Sequence, residues 1–149
     1  MRLEAEEDAL SAVHISSGAT HLATVSEHAV LRRAVAWLDR YFAGLPVTAA
    51  ELPLKFTGTP FQRMVWEQLL AVPYGHFTTY GELAAVCARL RRIPRMSAQA
   101  VGGAVGANPL PLFVPCHRVL AAGGRLGGFS CGLAVKRFLL DLEGISFRE

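Results

Sequence analysis

Pro115-Cys116-His117-Arg118-Val119 sets a thiol beside an imidazole, directly after a stiff apolar run from Pro111 to Pro115. The thiolate is the nucleophilic form of cysteine, and only a few per cent of a free thiol is ionised near pH 7. An adjacent base or cation raises that fraction. The chemistry on offer is nucleophilic attack by Cys116. Sequence neighbours make an awkward pair, because consecutive side chains on a strand point to opposite faces. Direct contact between them needs a sharp turn after Pro115, and otherwise a water must bridge them.

A third residue bears on this pair. A helix from about Leu133 to Glu143 stops at Gly144, a favourable C-terminal capping residue. Glu143 then stands at the negative end of a helix dipole, where a carboxylate is mildly unfavourable. A buried Glu143 bonded to the imidazole would orient the ring and stabilise its charged form. The plain alternatives are a small buried Cys beside a surface His, and a solvated Glu.

Two helices precede the motif. Thr59, Pro60 and Gln62 form a capping box with Pro at the first helical position, predicting a helix that ends near Val72-Pro73. Thr79 with Glu82 predicts another, through about Arg89. After a connection containing Pro94, Ser97 caps a third helix over Ala98 to about Ala107. The last two suggest a helix-turn-helix. The third helix holds Gly102, Gly103 and Gly106, and each interior Gly costs about 0.8–1 kcal/mol relative to Ala. Either tight helix packing or entry into a narrow groove would explain them. Arg89, Arg91, Arg92 and Arg95 are a solvated loop or a phosphate contact.

The first half reads differently. Apolar-polar alternation around Ala12–Ile15 and His21–Val25 predicts two or three short strands with a turn at Ser16-Ser17-Gly18. Val30/Leu31, Ala34/Val35, Leu38 and Tyr41/Phe42 recur at helical spacing, ended by Gly44 and Pro46. Residues 45–58 read as an extended linker.

The 149 residues are 52% hydrophobic, enough for a core, and no apolar run reaches membrane-spanning length. The acidic start (Glu4, Glu6, Glu7, Asp8) is no signal peptide. Cys87, Cys116 and Cys131 form neither a disulfide framework nor a metal-ligand spacing, and the five His show no zinc pattern. A reducing cytoplasm (the nucleus in a eukaryote), no metal and no cofactor are expected. Charge is split: residues 1–54 carry four Arg against seven acids, residues 55–149 eleven Lys/Arg against five acids. That polarity steers the second half toward a polyanion.

The stretch from about Thr57 to Gly144 resembles the catalytic domain of the O6-alkylguanine-DNA alkyltransferases (methylated-DNA–protein-cysteine methyltransferases). The matching pieces are Gly58-Thr59-Pro60-Phe61-Gln62 with Val65-Trp66, Val72-Pro73-Tyr74-Gly75, Thr79 to Ala84, Ala100 to Ala104, Asn108-Pro109, Val114 to Val119, and Gly128 to Leu133 with Val135-Lys136. They stand in the family's order. The resemblance implies an α/β fold. A small truncated ribonuclease-H-like N-terminal sheet plus helix, with linker, would occupy residues 1–54. A mainly α, winged-helix-like (helix-turn-helix) catalytic domain would occupy 55–149.

It also implies single-turnover, irreversible dealkylation of O6-alkylguanine in double-stranded DNA, with O4-alkylthymine as a second lesion to test. The base must be flipped from the duplex. Cys116 would attack the alkyl carbon, His117 would take the thiol proton through a water, and Glu143 would orient His117. Tyr80 is similar to the family tyrosine that donates toward guanine N3, and otherwise a core aromatic. Asn108 would tie the recognition helix to the active-site segment, and otherwise cap that helix. Val114 and Cys116 would offer main-chain carbonyls to the exocyclic amine, Ser130 a donor to O6, and Pro111 a pocket wall. The recognition helix would enter the minor groove, with Ala98, Gln99, Gly102 and Gly103 toward DNA. A monomer without membrane attachment is expected.

Three departures stand out. Gln99 occupies the place of the family's inserting arginine, seventeen residues before Cys116. The Arg89–Arg95 connection is longer than usual. Cys131 replaces a usual glycine; it would narrow the pocket, and its pairing with Cys116 on oxidation is a hypothesis that thiol counting tests. The rivals are a lesion-binding sensor that does not repair, a helix-turn-helix regulator with a buried Cys, and a cysteine hydrolase.

Overall fold

The computed structural model describes residues 1–16 and 28–149. The strand expected at His21–Val25 and most of the Ser16-Ser17-Gly18 turn lie outside these residues. The chain opens with β1 (Arg2–Glu6) and β2 (Ala9–His14), an antiparallel pair with a bulge between Glu4 and Ala5. The acidic start is thus itself a strand. Its Arg-Leu-Glu-Ala-Glu alternation leaves Leu3 and Ala5 partly covered and the charges in solvent.

Helix α1 (Ala29–Phe42) buries Val30, Ala34, Trp37, Leu38 and Tyr41, the stripe that the spacing predicts. The expected linker has one 3-10 turn, Ala49–Glu51. Near its end, Leu10 N donates to Pro53 O and Lys55 N to Leu10 O (both 2.9 Å), so the linker lies along β2.

Helix α2 (Pro60–Leu70) starts at the predicted capping box, with both reciprocal bonds formed between Thr59 and Gln62. Gly58 before it is obligatory: a Cβ there would stand 2.5 Å from the Trp66 ring. Helix α3 (Tyr80–Arg91) has the second box, Thr79 with Glu82. It runs beyond Arg89 to Arg91, and Arg92 follows in the left-handed conformation at φ 56°. Helix α4 (Ala98–Gly106) is capped by Ser97 as expected, and α5 (Leu133–Leu142) closes the chain. Just before α3, β3 (Thr78–Thr79) pairs in parallel with β4 (Val119–Leu120), which lies between α4 and α5.

The architecture is mixed α/β, with five α-helices and two two-stranded sheets among the described residues. One apolar cluster runs from Leu10, Val30 and Trp37 through Trp66 and Leu69 to Val101, Phe113 and Leu139. It crosses residue 54 without a break, and Val13 N adds a bond to Pro109 O at 2.9 Å.

Candidate active site

Cys116, His117 and Arg118 form one 3-10 turn after Pro115. That turn supplies the sharp bend the sequence required. Cys116 is 2% exposed and His117 fully buried, which removes the surface-His alternative. The turn is held from both sides. Val114 O accepts from Cys116 N (2.8 Å) and from Asn108 Nδ2 (2.9 Å), while Asn108 Oδ1 accepts from Leu110 N at 2.9 Å. Asn108 is therefore a buried tie between the end of α4 and the Cys116 segment. Both lone pairs of the Val114 carbonyl are occupied, so it has none to offer an exocyclic amine.

Glu143 is the hub behind the turn. Gly144 follows α5 at φ 72°, and Ile145 N bonds to Leu140 O (2.9 Å) and Gly144 N to Asp141 O (3.0 Å). This reciprocal closure needs a left-handed residue, which glycine supplies cheaply. It turns Glu143 inward. Its Oε1 accepts from His117 Nε2 at 2.6 Å and from the Tyr41 hydroxyl at 2.7 Å. Arg118 donates Nε to Oε2 (2.8 Å) and Nη2 to Oε1 (2.9 Å), and Gly75 N donates to Oε2 at 3.2 Å. Burial pushes this carboxyl up, but the bonds from His117 and Arg118 outweigh it and hold it down at about 2.

An ionised carboxylate only accepts, so His117 Nε2 carries a proton. Burial lowers the His117 pKa, against the pull of Glu143, with Arg118 and Lys136 reinforcing the shift. The resting ring is neutral, which leaves Nδ1 as a bare acceptor. Nδ1 is buried and has no hydrogen-bond partner. Glu143 pulls toward the imidazolium as expected, but burial outweighs that pull and the resting ring stays neutral. Burial also pushes the Cys116 thiol up to about 12, with partial relief from Asn108. At rest the pair is thiol and imidazole, not an ion pair.

In front of Cys116 lies a cavity of about 240 Å³, lined by Tyr80, Gly102, Val105, Gly106, Cys116 and Gly128 to Ser130. The β3–β4 pairing brings Tyr80 there, since Thr79 sits beside Leu120 and Tyr80 follows it. Burial raises the Tyr80 pKa, so its hydroxyl keeps its proton. Ser130 borders the cavity; Pro111, Val114 and Asn108 are buried and do not. Pro111 instead bridges to Val114 in the supporting segment. Cys131 lies beside Ser130, its Sγ 4.0 Å from Ser130 Oγ. A larger cavity of about 330 Å³ opens on the far side of Pro115, between Trp37, Val47, Leu70 and Phe113.

The α4 glycines are settled by their surroundings. A Cβ at Gly103 or Gly106 would meet nothing within 4 Å, and one at Gly102 only the Tyr80 ring at 3.7 Å. The helix packs through Val101, Ala104 and Val105 on its other face. Tight packing does not account for these glycines. Ala98, Gln99 and Gly103 are exposed, as are Arg89, Arg91, Arg92 and Arg95, and none of these arginines is in an ion pair among the described residues. Arg91 lies over the Phe61 ring at 5.2 Å.

Tyr41, Arg118 and Lys136 escaped the sequence reading as site residues. Tyr41 was placed on the buried stripe of α1, and a buried hydroxyl there already implied a partner.

A buried thiol under a cavity, backed by an imidazole–carboxylate pair and flanked by a slim helix in a mixed α/β architecture, is an arrangement suited to cysteine chemistry. The chain belongs to the 6-O-methylguanine DNA methyltransferases: residues 60–145 match the DNA-binding domain of that family. It is 38% identical to a methylated-DNA–protein-cysteine methyltransferase of Methanosarcina acetivorans over 146 residues, 95% of this chain and 90% of the relative. The Haemophilus influenzae protein of the same name is 46% identical over 109 residues, 73% of this chain. That match spans only 58% of the relative's own length. The crystal structure of Mycobacterium tuberculosis OGT in complex with DNA superposes with a TM-score of 0.78 at 36% identity, covering 95% of this chain and 84% of that one. No helix among the described residues is long and apolar enough to cross a membrane.

Proposed function

We propose that this protein repairs DNA directly, moving the alkyl group of O6-alkylguanine irreversibly to Cys116 after the base is flipped from the duplex. The observation that carries this reading is Cys116 at the base of a 240 Å³ cavity, beside the open glycine face of α4, in a member of this family. The thiol proton passes through a bridging water to His117 Nδ1, the one buried side-chain acceptor without a partner among the described residues. The Sγ–carbon bond forms as the carbon–O6 bond breaks, and the electron pair leaves with guanine. Tyr80, protonated at the cavity wall, neutralises the departing base, and the imidazolium proton returns to the tyrosine oxygen. The thioether has no leaving group that would restore the thiol, so one protein mends one lesion.

Binding falls to the exposed arginines in the last turn of α3 and just after it, and to α4, which carries no base-reading cation. The neutral resting pair supports a thiol that is activated only as its proton is taken up in the reaction.

The test is an intact-mass spectrum after incubation with a duplex holding one O6-methylguanine. A gain of about 14 Da mapped to Cys116, saturating at one per protein and absent in Cys116→Ser, is expected. Exposed Gln99 in place of an inserting arginine favours a second reading, a lesion-binding sensor. Tight binding of the same duplex with no mass change would establish that instead.

A further inference from the structure

Lys136 is fully buried, and among the described residues no carboxylate pairs with it. Its Nζ donates to Val119 O at 2.7 Å and to Gly128 O at 2.9 Å. Val119 opens β4, directly after the Cys116–Arg118 turn, and Gly128 belongs to the cavity wall. One side chain from α5 thus spans the two segments that face each other across the nucleophile. A buried ammonium without a counter-charge is costly, and carbonyl dipoles compensate it only in part. Such a cation is well used where negative charge appears during reaction.

We propose that Lys136 is a positioning residue for transfer to Cys116: it latches the Gly128 wall to the strand behind the nucleophile and holds a positive charge near Sγ as the thiolate forms. This rests on Cys116 being the acceptor thiol. Burial brings the ammonium down to about 8, and Cys116 acts in the opposite direction. Lys136 in turn lowers the thiol. The other groups around Cys116 differ in kind. Tyr80 on α3 keeps its proton, His117 in the turn is neutral at rest, Arg118 is neutralised by Glu143, and Cys131 in the loop carries no positive charge. Lys136 is the cation left over. His117 feels it too, as a small addition to the burial that keeps the ring neutral.

The test is alkylation of Cys116 by iodoacetamide across neutral to alkaline pH, followed by peptide mass spectrometry in the wild type, Lys136→Met and Lys136→Arg. In the Met variant the profile should move up by about one pH unit, about a tenfold slower reaction on its rising limb. The Arg variant should stay with the wild type. A Met profile superimposed on the wild type, or an Arg profile displaced as far as the Met one, overturns the proposal. If Lys136→Met does not fold, Lys136→Gln decides, since it keeps a donor toward Val119 O and Gly128 O without the charge: its profile should move up as the Met profile would, and one superimposed on the wild type overturns the proposal. The iodoacetamide profile needs no DNA, so it stands apart from failure of the repair reading, which would show as no mass gain with the lesion duplex.

Discussion

The Glu143 hub and the α3–α4 surface are built to opposite rules. At the hub, Tyr41, Gly75, His117 and Arg118 converge on one carboxylate, drawn from α1, a loop and the nucleophile turn. On the surface, four arginines are exposed and in no ion pair among the described residues, and glycines leave the α4 backbone open. Even the helix ends differ. α5 closes with Gly144 in the left-handed conformation, while α3 closes with Arg92, a residue strained there. The hub fixes one geometry for chemistry. The surface accepts local cost to keep cations and bare backbone available to a partner.

The largest effect should come from breaking the hub. Glu143→Ala leaves the Arg118 guanidinium buried and unpaired, which costs about 3–5 kcal/mol. Chemical denaturation should register a loss of that size, a large share of a typical domain's stability. A loss under 1 kcal/mol would show that the hub is no anchor. Acid should mimic the mutation. The Glu143 carboxyl is held near 2, below its ordinary 4.5, so the unfolded chain binds its proton more readily. Its stabilising contribution is full above pH 4.5 and is lost as pH falls toward 2. His117 adds to the same trend, because its lowered pKa makes the unfolded chain take a proton first as pH drops below about 6.5. In Glu143→Gln the part of the acid limb due to the carboxyl should vanish.

Sequence legibility divides along the same line. The capping boxes at Thr59 and Thr79, the Ser97 cap and the Gly144 stop are local, and the helices begin or end there as expected. The Cys-His pair and Glu143 were legible as chemistry. Arg118 and Lys136 were not, because their partners are backbone and side-chain groups distant in sequence, such as Val72 O and Gly128 O. The two-residue β3 and β4, which deliver Tyr80 to Cys116, are too short to carry an alternating pattern. The surroundings of Val114 were hidden for a related reason. Pro111 to Pro115 reads as a stiff apolar run, and only the fold shows that the Val114 carbonyl accepts from Cys116 N and Asn108 Nδ2.

A gentler change separates the two regions further. Gly103→Ala puts a methyl where nothing stands within 4 Å, and removing an interior helix Gly is worth about 0.8–1 kcal/mol. Thermal stability should rise. If the α4 backbone lies against DNA, duplex affinity should fall in the same protein. Higher stability with unchanged affinity would take α4 out of the interface and leave its glycines without a function.

Arg92→Gly is the smallest of these changes and tests whether strain at the surface serves binding. At φ 56° a glycine relieves the steric cost of the left-handed region but also loosens the unfolded chain. The net gain should be about 0.5–1 kcal/mol. If the Arg92 guanidinium neutralises one phosphate, the logarithmic salt dependence of duplex binding should become shallower by about one. Stability gained with an unchanged salt slope would mean that the arginine stands clear of the DNA. Its left-handed conformation would then be only an imperfect stop for α3. A shallower slope would mean that the strained cap is what aims the cation.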